Sequence, residues 1–350
     1  MADRPPLPGP RAGADFACLA LGEVLLRLSP PGGRRLEETE TLEVHVGGAE
    51  FNLVHALARL GLPAAWAGAL PEGHPLAARV RREAAAAGLR LFTDPSIRYD
   101  GFGREGRLGL HFVDPGFGPR PARGWYDRAG TGTGRPGASG PAPWEEILAA
   151  GRTAGVHCGG TYAGLGESAR QEARAFLGAA RRGGAWVSWD FNWRSRMWSH
   201  EEALAFHRSI LPEIRLLAAG PRDLEAWTGS SDPAEAGRRL AAESGELAAL
   251  AVPLRENLPD GRQRFGACLW LAAEDRLLEA PPLEFAVLDR IGAGDAFLAG
   301  LLYGLLVERP PEEALALGQR LSALAQSRPG DLAAVDRDEL LAGSGLEPRR

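Results

Sequence analysis

Apolar and amphipathic stretches alternate along the first quarter of the chain. Residues 16–28 (FACLALGEVLLRL) are apolar almost throughout, the pattern of one strand buried on both faces of a parallel sheet. Residues 42–46 read as a second short strand ending at Gly47-Gly48. Residues 50–60 set Phe51, Val54 and Ala58 on one helical face and stop at Gly61. Residues 64–70 read as a strand. Residues 74–87 read as a helix, with Gly88 just past its end. Such alternation implies right-handed crossovers and a parallel sheet.

The rhythm breaks over about 94–143. Residues 107–113 (RLGLHFV) are strand-like between glycine-rich segments. The following PGFGPRPARGWYDRAGTGTGRPGASGPAP is a poor candidate for a packed element. This stretch reads as an insertion, a small β lid plus a mobile loop. Alternation then resumes, with strands over 154–158 and 185–190 and a helix over 167–182 between them. Ser199 with Glu202 forms a capping box for the next helix. A strand over 214–218 follows, and Asp232-Pro233 opens another helix that stops near Gly245. Strands are expected over 247–252, 265–271 and 276–279, then helices over 294–307 and 311–325. There is no internal repeat. The expected architecture is one α/β domain over 16–340, a mostly parallel central sheet flanked by helices with a small β-sheet lid. A flexible tail (1–15) precedes it and a C-terminal tail (341–350) follows.

The composition fits a folded chain, with 45% apolar and 24% charged residues among 350. The net charge is −5 and every basic side chain is Arg, so a general polyanion binder is excluded and no nucleic-acid partner is expected. Cys18, Cys158 and Cys268 are odd in number and far apart, which favours buried, inert thiols in a reducing compartment. The N-terminus lacks an apolar signal region. The longest apolar run, 296–307, is too short to span a bilayer. No membrane partner and a cytoplasmic location are expected.

Chemistry concentrates in DRIGAGDAF, Asp289 to Phe297, between a strand-like segment and an apolar helix. Gly292, Ala293 and Gly294 let backbone N–H groups approach a ligand at a helix N-terminus, where an anion is favoured. Asp295 falls in the first helical turn, where a carboxylate is stabilised as the ion and can accept a proton. An anion hole beside a base suits phosphoryl transfer to an alcohol. From spacing alone, a glycine-rich turn with an acidic cap on a core helix is an equal alternative. A dinucleotide fingerprint fits less well, since Phe297 stands where the third Gly is needed.

DRIGAGDAF resembles D-x-x-G-A-G-D-x-F, the C-terminal signature of the ribokinase-like (PfkB) sugar kinases. The family's other signature, a Gly-Gly pair with a nearby Asn, is matched by VGGAEFNLVHALARLG. The order of the two motifs and the lid between strands match as well, so the likeness covers about 16–340. Within the family, VSWDFNWRSRMWS is similar to the D-x-N-x-R-x-x-L-W-S of 2-keto-3-deoxygluconate kinases. Asp190, Asn192, Arg194 and Trp198 are in register and Met197 stands for Leu. RLGLHFVDPG, WYDRAG and SRPGDL resemble further segments of the same subfamily.

The resemblance implies ATP-dependent phosphorylation of a primary hydroxyl on a sugar or sugar acid, with 2-keto-3-deoxygluconate as the acceptor and ATP and Mg²⁺ as cofactors. Asp295 is the implied base, and Gly292, Ala293 and Gly294 the anion hole. Gly47, Gly48 and Asn52 are expected to meet the acceptor's hydroxyls. Arg194 is expected to hold the acceptor's carboxylate or a nucleotide phosphate, the bland alternative being an ion pair with Asp190 or a nearby Glu. Arg128 is a second carboxylate candidate, more simply read as a solvated loop charge. Asn192, Asp223 and Asp289 fall on the nucleotide side. His45 and His111 line the acceptor site by position. Two departures stand out. Gly220-Pro221-Arg222-Asp223 replaces the N-x-x-E that helps many relatives order Mg²⁺, and Pro253 in VPLREN stands where relatives often have Thr. No protein ligand set for a metal is assigned. The alternatives are a sugar-binding relative with impaired turnover, or a nucleoside or other sugar kinase of the same fold. Association into a homo-oligomer through the lid is a further expectation.

Overall fold

The computed structural model describes residues 5–116, 120–128, 131 and 144–342. It splits the apolar run at 16–28 in two. β1 (Phe16–Leu21) joins the central sheet, while β2 (Leu25–Ser29) leaves it for a second, smaller sheet. The break falls at Gly22, where a Cβ would lie 2.3 Å from Glu50 Oε2. Hydropathy cannot register this division, because both halves are buried.

The remaining strands are β3 (Glu43–Gly47), β4 (Ala64–Gly68), β5 (Arg90–Thr93), β6 (Gly109–Asp114), β7 (Arg123–Asp127), β8 (Thr153–Gly159), β9 (Trp186–Asp190), β10 (Leu216–Ala218), β11 (Ala249–Asn257), β12 (Arg262–Leu271) and β13 (Arg276–Ala286). Eight of them join β1 in the central sheet, in the order β13-β12-β11-β10-β9-β8-β1-β4-β5. From β11 to β5 all pairs are parallel, while β12 and β13 add antiparallel neighbours at one edge. The period of two in β1 divides its side chains between two apolar layers. Cys18 and Ala20 pack with the helices Ala49–Arg59, Ala77–Ala87, Ala293–Leu306 and Pro311–Ala325. Leu19 and Leu21 pack with Glu167–Arg182, His200–Ile210 and Pro233–Glu243 on the other face.

The small sheet runs β3-β2-β6-β7. Only half of the lid therefore comes from the expected insertion. β2 and β3 come from the N-terminal segment, and β2 pairs parallel with β6. β7 also lies in the stretch expected to lack a packed element. It pairs antiparallel with β6, and Tyr126 stacks on His111 with ring centroids 4.1 Å apart. Part of the expected mobile loop lies outside the described residues, as does most of the C-terminal tail.

The expectation of a loose N-terminal tail does not hold for residues 5–14. Arg215 donates to the Pro6 carbonyl at 3.1 Å, and Trp186 Nε1 donates to the Gly9 carbonyl at 2.8 Å. Arg11 donates to the Gly183 carbonyl at 2.5 Å. A proline-rich segment keeps its carbonyls free of internal bonds, so they are available to such donors. Helix placement follows the sequence closely. Gly88 is left-handed at φ 72° after Ala77–Ala87, and the Ser199/Glu202 capping box is present. The three cysteines are free and buried. Among the described residues, no helix is long and apolar enough to cross a membrane.

Candidate active site

The lid and the carboxyl ends of the parallel strands enclose a cleft of about 1430 Å³. Open parallel sheets bind ligands at this edge. The helix Ala293–Leu306 points its N-terminus into the cleft. Its N-cap, Gly292, is left-handed at φ 81°, and a Cβ there would sit 2.1 Å from the Asp331 carbonyl oxygen. Both the backbone conformation and the close approach therefore demand glycine. Ser322 Oγ donates to the Ala293 carbonyl at 2.8 Å and fixes the first turn. The Ala293 N–H donates to the Arg290 carbonyl at 3.4 Å, while helix geometry leaves the N–H groups of Gly294 and Asp295, both lining the cleft, without intrahelical acceptors.

Asp295 follows at once. Asn52 Nδ2, from the helix Ala49–Arg59, donates to Asp295 Oδ2 at 2.7 Å. Burial pushes the Asp295 carboxyl up to about 7. The Asn52 hydrogen bond opposes the rise, Asp190 adds to it, Arg194 opposes it and Asp331 adds to it. This corrects the expectation that the helix N-terminus keeps Asp295 firmly ionised. Desolvation is the largest cause, and the group can take up or release a proton near neutral pH.

Of the expected acceptor contacts, Gly48 and Asn52 line the cleft and Gly47 does not. Gly48 has φ 143°, and its Cβ would lie 2.1 Å from the Glu23 carbonyl oxygen. Gly47 instead leaves room for Asp331, whose Oδ2 would be 2.4 Å from a Cβ. Asp289 also faces away from the cleft. Arg27 of β2, only 2% exposed, donates Nη2 to Asp289 Oδ2 at 2.5 Å and Nε to Asp331 Oδ1 at 2.6 Å. Asp289 further accepts the N–H groups of Ile291 and Gly330, each at 3.1 Å. It is a brace between lid strand, signature turn and the 330 loop, which removes it from the nucleotide side.

Arg128 is no solvated loop charge. It lines the cleft at 13% exposure, with Nε 3.2 Å from Glu23 Oε2 and its guanidinium 4.2 Å above the Tyr126 ring. Glu23 is buried, and burial raises its pKa against the pull of Arg128. Arg194 is exposed within the cleft and has no carboxylate within 4.0 Å among the described residues. Its Nη1 donates only to the Trp193 carbonyl, at 3.3 Å. The ion pair with Asp190 is therefore not made. Asn192, with φ 37°, lines the same wall beside Asp190 and Asp223. Burial raises Asp190 to about 6, opposed by Arg194 and assisted by Asp223. Burial raises Asp223 as well, with Arg194 opposing.

His111 lines the cleft, pushed down to about 3 by burial and by Arg128, Arg27 and Arg194, so it stays neutral. His45 is not a lining residue. It lies 3.4 Å from Glu43 Oε2. Among the described residues, no group of three His, Cys, Asp or Glu side chains is placed to hold a metal ion.

Asp331 and Arg255, which line the cleft, and Glu50, which is buried beneath it, escaped the sequence reading. Asp331 lies in the noted SRPGDL, and Glu50 beside the noted Gly-Gly pair, but neither could be given a direction. Glu50 is buried with Oε1 unpartnered, and burial pushes it up to about 8. Arg255, in the noted VPLREN, reaches the anion hole, where its Nη2 would lie 3.1 Å from a Cβ on Gly294.

Comparison with known proteins bears on this arrangement. The family described as pfkB family carbohydrate kinase matches residues 160–337. A 2-dehydro-3-deoxygalactonokinase of Haloferax volcanii is 32% identical over 325 residues, spanning 92% of this chain and 94% of that protein. The 2-dehydro-3-deoxygluconokinase of Thermotoga maritima superposes with a TM-score of 0.83 at 26% identity, over 92% of this chain and 96% of its own. A fructokinase of Vibrio cholerae, solved with fructose, ADP and calcium, gives a TM-score of 0.72 at 20% identity, over 93% and 98%. That last likeness speaks to the fold alone.

Proposed function

Because this chain belongs to the pfkB family of carbohydrate kinases, we propose that it transfers the γ-phosphoryl group of ATP to the primary hydroxyl of a 2-keto-3-deoxy sugar acid, with 2-keto-3-deoxygluconate as the acceptor. The observation that carries the acceptor class is a pair of guanidiniums in the cleft of Asp295. Arg128 comes from the lid side and Arg194 from the loop after β9, and both lie near enough to His111 to depress its pKa. A carboxylate offers two oxygens to such forks, whereas a neutral sugar leaves Arg194, which has no carboxylate within 4.0 Å among the described residues, short of a partner.

Asp295 takes the hydroxyl proton, and Asn52, bonded to it, holds its orientation. Gly292, Ala293 and Gly294 line the cleft, and the only atom within 4 Å of a Cβ on Gly294 is the end of the Arg255 side chain, so the turn is open to the phosphates of a nucleotide. With no three-ligand group among the described residues, Mg²⁺ fits as an ion carried by phosphate and water, with Asp223 and Asp190 as the carboxylates available to it. Bound there, it supplies charge neutralisation to the phosphates. The lid excludes water, the competing acceptor. A cytoplasmic location, where ATP is at hand, belongs to the same reading.

The test is kcat/KM for 2-keto-3-deoxygluconate against fructose and ribose. Charged hydrogen bonds contribute about 1.5–3 kcal/mol, so a roughly ten- to hundredfold preference for the acid is expected. Equal or better use of the neutral sugars overturns the acceptor class. The Haloferax relative favours the galactonate epimer as a second reading. A preference for that epimer in the same panel keeps the class and replaces the named acceptor.

A further inference from the structure

β11 runs on past Ala251, the last residue it pairs with β10, and so overhangs the cleft. Arg255 lies on this overhang, opposite Phe265 of β12, with its guanidinium 5.9 Å from that ring's centroid. The head group hangs over the first turn of Ala293–Leu306, its Nη2 3.1 Å from where a Cβ of Gly294 would be. A Cβ at Gly294 would push that head group back by a few tenths of an ångström.

Two neighbouring cations of the rim are engaged. Arg264 pairs with Glu256 and Glu284 at 2.9 and 2.7 Å, and Arg290 donates to Asn257 Oδ1 at 2.6 Å. Arg255, among the described residues, has no carboxylate within 4.0 Å and no hydrogen-bond acceptor. The charges of Asp190 and Asp295 attract it from across the cleft without closing a pair. It is a full cation with open donors, set where the backbone offers only partial charges.

We propose that Arg255 is a catalytic residue, donating hydrogen bonds to the γ-phosphoryl group as it is transferred. This rests on the kinase reading above. In the step, the acceptor's hydroxyl oxygen forms a bond to the γ-phosphorus while the bond from that phosphorus to the β–γ bridging oxygen breaks. The bridging oxygen leaves with the electron pair as part of ADP, and the hydroxyl proton passes to Asp295. Arg255 is unchanged. Its planar fork matches two equatorial oxygens, on which charge builds during transfer.

The experiment compares wild type with Arg255→Ala, Arg255→Lys and Arg255→Gln by steady-state kinetics. Removal of one transition-state donor costs about 10²–10³-fold in rate, so kcat of Arg255→Ala is expected to fall by that factor while the acceptor KM changes little. Free guanidinium restores part of the Ala variant's rate and leaves wild type unaffected. Lys recovers some activity and Gln little. ADP binding measured by calorimetry stays near wild type. A kcat within about threefold of wild type, or a rise in ATP KM alone, overturns the proposal. If the Ala variant fails to fold by circular dichroism, the Gln and Lys variants decide by the same criteria. A wild-type enzyme that turns over no acceptor overturns the kinase reading itself, and this role with it. An active wild type with an indifferent Arg255 removes only this role.

Discussion

Asp295 and Glu50 show how a residue's surroundings override its local motif. Asp295 starts a helix, yet burial carries its carboxyl to about 7. Glu50 sits deeper, with Oε1 unpartnered, and is pushed to about 8 from an ordinary 4.5 by burial, with Asp295, Glu23 and Asp190 adding to the effect. The fold thus binds the Glu50 proton more tightly than the unfolded chain does. That contribution to stability is complete below the ordinary pKa and is lost as pH rises through the folded value. Between about pH 5 and pH 9 wild type should therefore lose Tm relative to Glu50→Gln. Parallel Tm curves for the two proteins would show that Glu50 does not titrate in this way. At this scale the sequence identifies residue types but not directions. The position of Asp295, Gly292 and Gly294 at a helix start was legible because their motif is contiguous and adopts its shape locally. Asp289 and Gly47 were misassigned because their orientation is set by Asp331 and Arg27, the latter two lying 304 positions apart.

Elements were most legible where the signals are local. Gly88, the Ser199/Glu202 box and the Asp232 cap all mark helix ends that the structure places there. The split of 16–28 into β1 and β2 was not legible, since it depends on Glu50 filling the space at Gly22. β7 was missed because its pairing partner lies on β6 and the stretch around RGWYD is rich in glycine, proline and arginine. The helix that carries Asp295 is held by close contact with Pro311–Ala325. A Cβ on Gly304 would lie 2.5 Å from the Ala314 Cα, and one on Gly300 would lie 2.6 Å from the Leu317 carbonyl oxygen. Both contacts are with backbone, which cannot swing aside. Gly304→Val should therefore destabilise by about 1–3 kcal/mol or more through overpacking, read as a lower midpoint in urea unfolding. An unchanged midpoint would show that the helix pair can separate at no cost.

Across the whole molecule, one buried cation ties the lid to the body. Arg27 sits on β2, and its partners Asp289 and Asp331 lie in the segments flanking the helix of Asp295 and its neighbour. Removing one partner of a buried pair leaves uncompensated charge, so Arg27→Met should cost about 3–5 kcal/mol in chemical unfolding. A change below about 1 kcal/mol would mean that the two carboxylates protonate and need no cation. The α/β class, the central sheet and the presence of a lid were all readable from alternation. The lid's assembly from two separate segments was not, because hydropathy does not say which strands pair. The cleft follows from that assembly, since it sets Arg128 from one sheet facing Asp295 and Arg194 from the other. The most direct measurement is therefore the product formed from ATP and 2-keto-3-deoxygluconate by wild type and Asp295→Asn, followed by ADP release and phosphorus NMR. Wild type should phosphorylate the primary hydroxyl, with a rate that declines as pH falls through about 7. Asp295→Asn should bind both substrates yet turn over about 10²–10⁴-fold more slowly. No phosphorylated sugar acid from wild type, or near-normal turnover by Asp295→Asn, would contradict a sugar-acid kinase that works through this carboxylate.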